Sequence, residues 1–420
     1  MISLTSLAIA LLAAKNVAAV GSPFGYATGT TGGNSAAQAI PTSAAQLKSW
    51  LEDNVTRNIL LDRTYDFTDT EGNISGKMCK SWTCSPNPQL ILDTGSGCGS
   101  SASTTATYKK AGTSGIKVKS NKTIVGKGTS GWMQVKGKGL TLSNVSNVII
   151  QNIRISDLNP QYVWGGDALY IDNSSKVWVD HNYFKNVGRQ FIATGFGAAK
   201  QVTISNNYFD VPGRKYSYYE LRTQGRLTLF DPSSNTELDV INIITGLYCS
   251  LAMETKSLLL VTSKYLKYWR KMNINIVASS MYFTAGRGPH IGGTNGYTLT
   301  LHMYNNYFND ITGHAIDADT GSKILIEGNY FNKVKTPSTG STKGAAFAPT
   351  SSSMNSQCSG SLGRNCVSNT LAGGSGSLTN TANSGILSSF TASTVKSASI
   401  MDPAQVPSYV TSNAGLGKVN

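Results

Sequence analysis

The side chains that could do chemistry in this chain are few and scattered. The most informative stretch is Thr284-Ala285-Gly286-Arg287-Gly288-Pro289-His290, which sets a guanidinium between two glycines and an imidazole shortly after it. An arginine is protonated at any ordinary pH, so it serves first as a fixed cation. A second feature, Val177-Trp178-Val179-Asp180-His181, ends an alternating apolar run on a carboxylate and an imidazole. Asp317 and Asp319 are a pair of acids of the kind a glycoside hydrolase needs around one bond, but their surroundings read as a turn. Cys79, Cys84 and Cys98 cluster, Cys358 and Cys366 form a close pair, and Cys249 stands alone. None of these spacings is that of a zinc site, and no metal or cofactor is expected.

The charge balance narrows the partner. Lys and Arg number 36 against 22 acids, a formal net charge of +14, so the surface attracts an anionic partner. The basic residues are dispersed, with no basic helix and no aromatic RNA-binding motif, which argues against nucleic acid. An acidic polysaccharide fits. Only 14% of residues are charged and 43 are glycine, a composition for a turn-rich β-protein.

The elements that must carry these residues repeat. Val177 to Phe184, Val202 to Phe209, Leu301 to Phe308 and Ile324 to Phe331 each run alternating residues into an Asn and then Tyr-Phe; Val148-Ile149-Ile150-Gln151-Asn152-Ile153 is a shorter version. The asparagines recur at 182 and 207, then at 306 and 329, a period of roughly 23–25 residues that belongs to a solenoid. Each unit reads as a strand, a bend at Asn and a second short strand, with Val, Ile and Phe turned inward and Asn amides stacked from rung to rung. A β-sandwich would not repeat one motif at this period. Ala44 to Leu51 reads as a short amphipathic helix able to cap the first rung. After about Thr336 the chain turns rich in Ser, Gly and Thr, a tail expected along the outside of the coil.

Two segments need separate treatment. Residues 1–19 hold a short apolar run, Leu7 to Ala14, then small residues ending Val17-Ala18-Ala19: a secretory signal peptide with mature start near Val20. That leaves residues 20–420 as one domain of a secreted protein, in which the cysteines form disulfides and the sequons at Asn54, Asn73, Asn121, Asn144 and Asn173 are glycosylation candidates. No later run is long enough to span a membrane. Residues 211–280 break the repeat. A one-base frame shift over Met253 to Thr262 permits the rung-like run Gly-Asp-Lys-Val-Thr-Leu-Val-Gly-Asn. Ser263-Lys264-Tyr265 can be encoded with an intron donor, and an acceptor in the Ser279-Ser280 codons restores the frame at Met281. We read the stretch as retained intron and out-of-frame exon; a long substrate-facing loop is the other reading.

With the repeat in view, the motifs form a recognisable set. Tyr65 to Gly72, Ser120 to Gly126, Tyr162-Val163-Trp164-Gly165-Gly166-Asp167, Val177 to His181, Gly188-Arg189-Gln190, Thr284 to His290, Gly313-His314-Ala315 and Leu362-Gly363-Arg364 together resemble fungal pectin lyases of the pectate lyase superfamily. The resemblance covers most of the chain outside residues 211–280. It implies a right-handed parallel β-helix, and eliminative cleavage of methyl-esterified galacturonan without a cofactor. Arg287 would be the base, which requires nearby positive charge to favour its neutral form. Asp180 would be an active-site carboxylate, Lys200 a fixed cation and His290 a helper, with Trp82, Trp178 and Arg189 binding sugar. Cys79 would pair with Cys98, and Cys358 with Cys366. A monomer is expected. The competing readings are a calcium-dependent pectate lyase, a polygalacturonase-type hydrolase and a catalytically defective pectin-binding β-helix.

Overall fold

The computed structural model describes residues 19–80, 90–93, 98–128, 134–195, 197–210, 242–245, 270–282 and 288–419. Trp82, Cys84, Cys249 and Arg287 lie outside the described residues. One turn of the coil shows how the sequence works. Ser175–Asp180, Tyr183–Val187 and Gln190–Thr194 are its strands, and Lys200–Ser205 begins the next turn directly above Ser175–Asp180. Stacking these turns makes three sheets of mostly parallel strands: sheet 1 of ten strands, sheet 2 of nine and sheet 3 of eight. The chain is the expected all-β parallel β-helix.

The registers match the sequence period. Val177 pairs with Val202 and Leu301 with Ile324, while the earlier step from Val148 to Val177 is wider. Alternation buries Val177 and Val179, Val202 and Ile204, and Leu301 and Met303 in one core cluster. Phe184 stacks on Phe209 at 5.2 Å between ring centroids, and Phe308 on Phe331 at 4.5 Å. Burying such a side chain contributes about 1.5–3 kcal/mol, repeated at every rung.

The bend between sheets 1 and 2 uses two residues, not the one expected. The left-handed backbone falls to His181, Asn206, Asn305 and Gly328. The following asparagine makes the ladder: Asn182 Nδ2 donates to Asn207 Oδ1 at 3.0 Å, and Asn306 Nδ2 to Asn329 Oδ1 at 2.9 Å. Asn369 continues it, accepting from Asn329 at 3.0 Å.

Helix α1, Ala44–Glu52, is N-capped by Ser43, whose hydroxyl accepts from the Gln46 amide. Its Leu47 and Leu51 are wholly buried in the main core. The coil continues further than the composition indicated, with strands at Thr336–Ser338, Ala345–Phe347 and Thr370–Ala372. The remaining tail packs outside around the Cys358–Cys366 disulfide, burying Leu362, Ile386, Leu387 and Phe390. All five sequon asparagines are exposed. No described helix is long and apolar enough to cross a membrane.

Residues 270–280 are not foreign to the coil. Arg270–Val277 sits in register between Lys200–Ser205 and Tyr297–Tyr304, with Met272, Ile274 and Ile276 buried. The rung is nevertheless irregular. Its sheet 3 strand, Asn242–Thr245, runs antiparallel to both neighbours. Ala278 takes the left-handed position and Ser279 the ladder position.

Candidate active site

The connections from sheet 2 into sheet 3 carry the polar side chains that converge. Tyr162 to Asp167 enters the strand Leu169–Asp172, and Gly188-Arg189 enters Gln190–Thr194 one turn later. The first connection is tight because its glycines allow it: a side chain on Gly166, at φ +143°, would meet the Gly112 carbonyl at 1.9 Å. Arg189 reaches back across the rung. Its Nη1 lies 3.3 Å from Asp167 Oδ2, and its guanidinium carbon is 3.7 Å from the centre of the Trp164 ring. The Gln190 amide donates to the other Asp167 oxygen at 3.0 Å. Both charged side chains are 19% exposed, so the pair is largely screened from water while still reachable. A cation over indole in such a setting is worth about 1–2 kcal/mol.

Trp164 is braced from outside the coil. Asn73–Cys79, Leu90–Leu92, Ser103–Lys109 and Tyr162–Val163 form a separate four-stranded sheet. The Cys79–Cys98 disulfide, Ile91 and Val163 pack there against Trp164. The disulfide therefore stiffens the platform on which Arg189 lies.

His290 opens the sheet 3 strand that follows the Arg287 connection. It is buried, and its Nδ1 is 2.6 Å from Asp317 Oδ2. Asp317 also accepts from the Thr339 hydroxyl at 2.7 Å. Burial alone would push the Asp317 carboxyl up, but the hydrogen bond and charge of His290, with Thr339 and His314, hold it well below the ordinary carboxylate range. Among the described residues, His290 Nε2 has no hydrogen-bond partner, nor has either side-chain polar atom of buried Gln190. Buried polar atoms left unpaired call for a polar ligand or water. Sheet 3 thus offers a fixed cation, an oriented imidazole and unpaired amide groups along its entering edge.

The profile of the family described as Pectate lyase matches residues 1–217. Probable pectin lyase F-2 of Aspergillus terreus is 40% identical, over 98% of this chain and 78% of that protein. Pectin lyase B of Emericella nidulans is 37% identical over 98% of this chain and 97% of its own. The chain belongs to the pectate lyase family. A solved pectate lyase bound to a hexasaccharide has the same fold, with a TM-score of 0.54 at 17% identity over 95% of this chain and 98% of that one. A pectate lyase variant from Xanthomonas campestris gives 0.53 at 18% identity, over 94% and 99%.

Family resemblance misplaced some residues that the coil puts elsewhere. Asp180 ends a strand of sheet 1, and its carboxylate is saturated. Oδ1 accepts from Ser205 at 2.6 Å and Asn206 at 3.1 Å; Oδ2 meets Gln151 Nε2 at 2.8 Å and His181 Nδ1 at 2.6 Å. A carboxylate has about four lone-pair sites, and all are used, so none is left for a substrate proton. Trp178 is buried against Phe24 and Ala27 and donates to Ser205 at 3.0 Å, which removes its ring from any sugar. Lys200 is exposed at the start of a sheet 1 strand, in register with Ser175, away from the sheet 3 connections. Arg189 and His290 both lie where the chain enters a strand of sheet 3. Asp317 is on a strand paired with His290, not in a turn, and Asp319 is tied to the Thr320 amide, so they are no hydrolase pair. Both expected disulfides are present. Asp167 and Trp164 join the site from the motif Trp164-Gly165-Gly166-Asp167, whose residues meet Arg189 only across a turn of the coil.

Proposed function

We propose that this protein is a pectin lyase, which cleaves methyl-esterified galacturonan by β-elimination and leaves 4,5-unsaturated ends. The observation that carries this reading is the Arg189–Asp167 pair on Trp164. Elimination needs positive charge beside the uronyl carbonyl, so that the α proton becomes acidic enough to remove. A calcium-dependent lyase obtains that charge from an ion held by several carboxylate oxygens. Here the Asp167 carboxylate is already engaged by a guanidinium, so the protein supplies the cation itself. A neutral methyl ester suits a site whose positive charge is carried by a side chain of the protein.

In this reading Arg287, four residues before the paired strand residue Ile291, takes the proton from C5 while the bond from C4 to the glycosidic oxygen breaks. Arg189 stabilises charge developing on the carbonyl oxygen. His290, steadied by Asp317, presents Nε2 to the sugar. The +14 charge draws in the partly de-esterified, anionic stretches of the polymer. Secretion after cleavage near Val20, glycosylation at exposed sequons and a monomeric state belong to the same proposal.

The test is cleavage of highly methylated pectin in excess EDTA, followed by ultraviolet absorbance of the unsaturated product. Activity should survive the chelator, and Arg287→Lys should lower kcat by about a hundredfold or more, the scale of a positioned base. Loss in EDTA with recovery in calcium would make the protein a pectate lyase. Saturated ends would make it a hydrolase, and no cleavage with retained binding a defective β-helix.

A further inference from the structure

Asp180, excluded from the active site, sits in a second constructed site. The N-terminal arm, from Ala19 to Ala36, runs over the outer face of sheet 1, and successive rungs hold its backbone with side chains. Asn147 Oδ1 accepts from the Thr31 and Gly32 amides, at 2.7 and 2.9 Å. Thr203 accepts from the Ala27 amide at 3.0 Å and donates to the Phe24 carbonyl at 2.8 Å. Asn275 accepts from the Tyr26 amide at 2.6 Å. The arm ends on Gln151, which takes both backbone groups of Val20: Oε1 accepts from the Val20 nitrogen at 2.7 Å, and Nε2 donates to the Val20 carbonyl at 2.8 Å. Nε2 also donates to Asp180. Gln151 and Asp180 are buried, at 0% and 1% exposure.

An amide N–H offers Gln151 one donor and no charge. An α-ammonium offers three donors and a positive charge, one hydrogen-bonded side chain away from a buried carboxylate. Such a charge-assisted contact is roughly twice as strong as a neutral one. Val20 is also the residue that follows Val17-Ala18-Ala19, where leader cleavage is expected.

We propose that Gln151, backed by Asp180, forms a receptor for the protein's own α-ammonium, created by hydrolysis of the Ala19–Val20 peptide bond. Water adds across that amide; the carboxylate leaves with Ala19, and the nitrogen on Val20 takes a proton to become ammonium. The uncleaved chain docks Val20 as a neutral amide, so the contact gains its charge only after the leader is gone. This inference rests on the cleavage reading and not on the proposed reaction.

The experiment compares secreted protein with purified chains that start at Val20 or carry a non-cleavable Gly-Ser extension before it. Intact mass should place the secreted terminus at Val20. In the folded protein the α-amine should acylate at neutral pH at least tenfold more slowly than in a peptide of the same leading sequence. The extension should lower the thermal midpoint, and Asp180→Asn should abolish the difference between free and extended chains. If Asp180→Asn does not fold, Gln151→Glu places a carboxylate directly on Val20 and should widen that difference. A terminus elsewhere than Val20, an α-amine as reactive as the peptide's, or an extension penalty indifferent to both substitutions would each overturn the proposal.

Discussion

Arg189 is paired with the Asp167 carboxylate and sits over the Trp164 indole, so its charge is held in place. A lysine would keep the charge and lose the plane. Arg189→Lys should therefore reduce kcat/KM on methylated pectin by about ten- to a hundredfold, the scale of one misplaced electrostatic donor, with the unfolding midpoint little moved. Steady-state kinetics beside a melting curve checks this; an equal fall in stability would mean that the residue is structural. The acid limb of stability belongs to a different residue. Burial would push Glu327 up, but hydrogen bonds from Arg364 and His302 hold it down to about 2 from its ordinary 4.5. Its folded value lies below the unfolded one, so its contribution is complete above about 4.5 and is lost as pH falls toward 2. Glu327→Gln should flatten the decline in melting temperature between those limits. Arg364→Ala, which removes the charged partner of a buried carboxylate and leaves it only His302 and the Val367 amide, should cost about 3 kcal/mol at neutral pH in urea unfolding.

Between residue and fold stands the rung, and the bend is its most demanding part. Left-handed backbone costs an L-residue about 1–2 kcal/mol, which glycine escapes and asparagine reduces. Ala278 bears that cost at φ +46°, where other rungs use Asn206, Asn305 and Gly328. Ser279 fills the ladder slot with a hydroxyl, which meets the Asn207 amide at 3.3 Å and has no amide of its own to pass on. The double substitution Ala278→Gly, Ser279→Asn should stabilise the protein by about 1–2 kcal/mol in chemical denaturation. The new Asn amide should donate to the Ile204 carbonyl, as Asn207 does to that of Val179. The ladder was legible in the sequence because one residue type recurs at one spacing. The active site was less so. Asp167 and Arg189 meet only because one coil turn stacks them, 22 positions apart in the chain. Asp180 reads as a free carboxylate in sequence because its partners, Gln151 and Ser205, lie 29 and 25 residues away on adjacent rungs. Neighbours along the chain are visible to sequence reading; neighbours across rungs become visible only once the register is known.

At the scale of the whole molecule one rung is out of character. Its sheet 3 strand, Asn242–Thr245, is antiparallel, in a sheet otherwise paired in parallel among the described residues. Buried Gln190 and His290, with unpaired atoms, flank it. Ala278 and Ser279 occupy its bend, whereas the frame-shifted reading of Met253 to Thr262 ends in Val-Gly-Asn, the residue types that the bend and the ladder require. Arg270–Val277 fills its sheet 1 place adequately because Met272, Ile274 and Ile276 alternate inward, a pattern that two further apolar neighbours in register reward. We propose that residues 211–280 include retained intron and out-of-frame sequence, and that the working enzyme carries a shorter, regular rung. Sequencing the spliced transcript should find the Ser263-Lys264-Tyr265 donor joined to an acceptor before Met281, with the frame shifted upstream. A protein made from that message should unfold at a higher temperature than the chain as written, and should cleave pectin faster, because Gln190 and His290 would again border one continuous parallel sheet. A mature message encoding residues 211–280 as they stand would reject the splice. The antiparallel strand would then be a native loop laid against the active-site edge, and its removal should change substrate affinity more than stability.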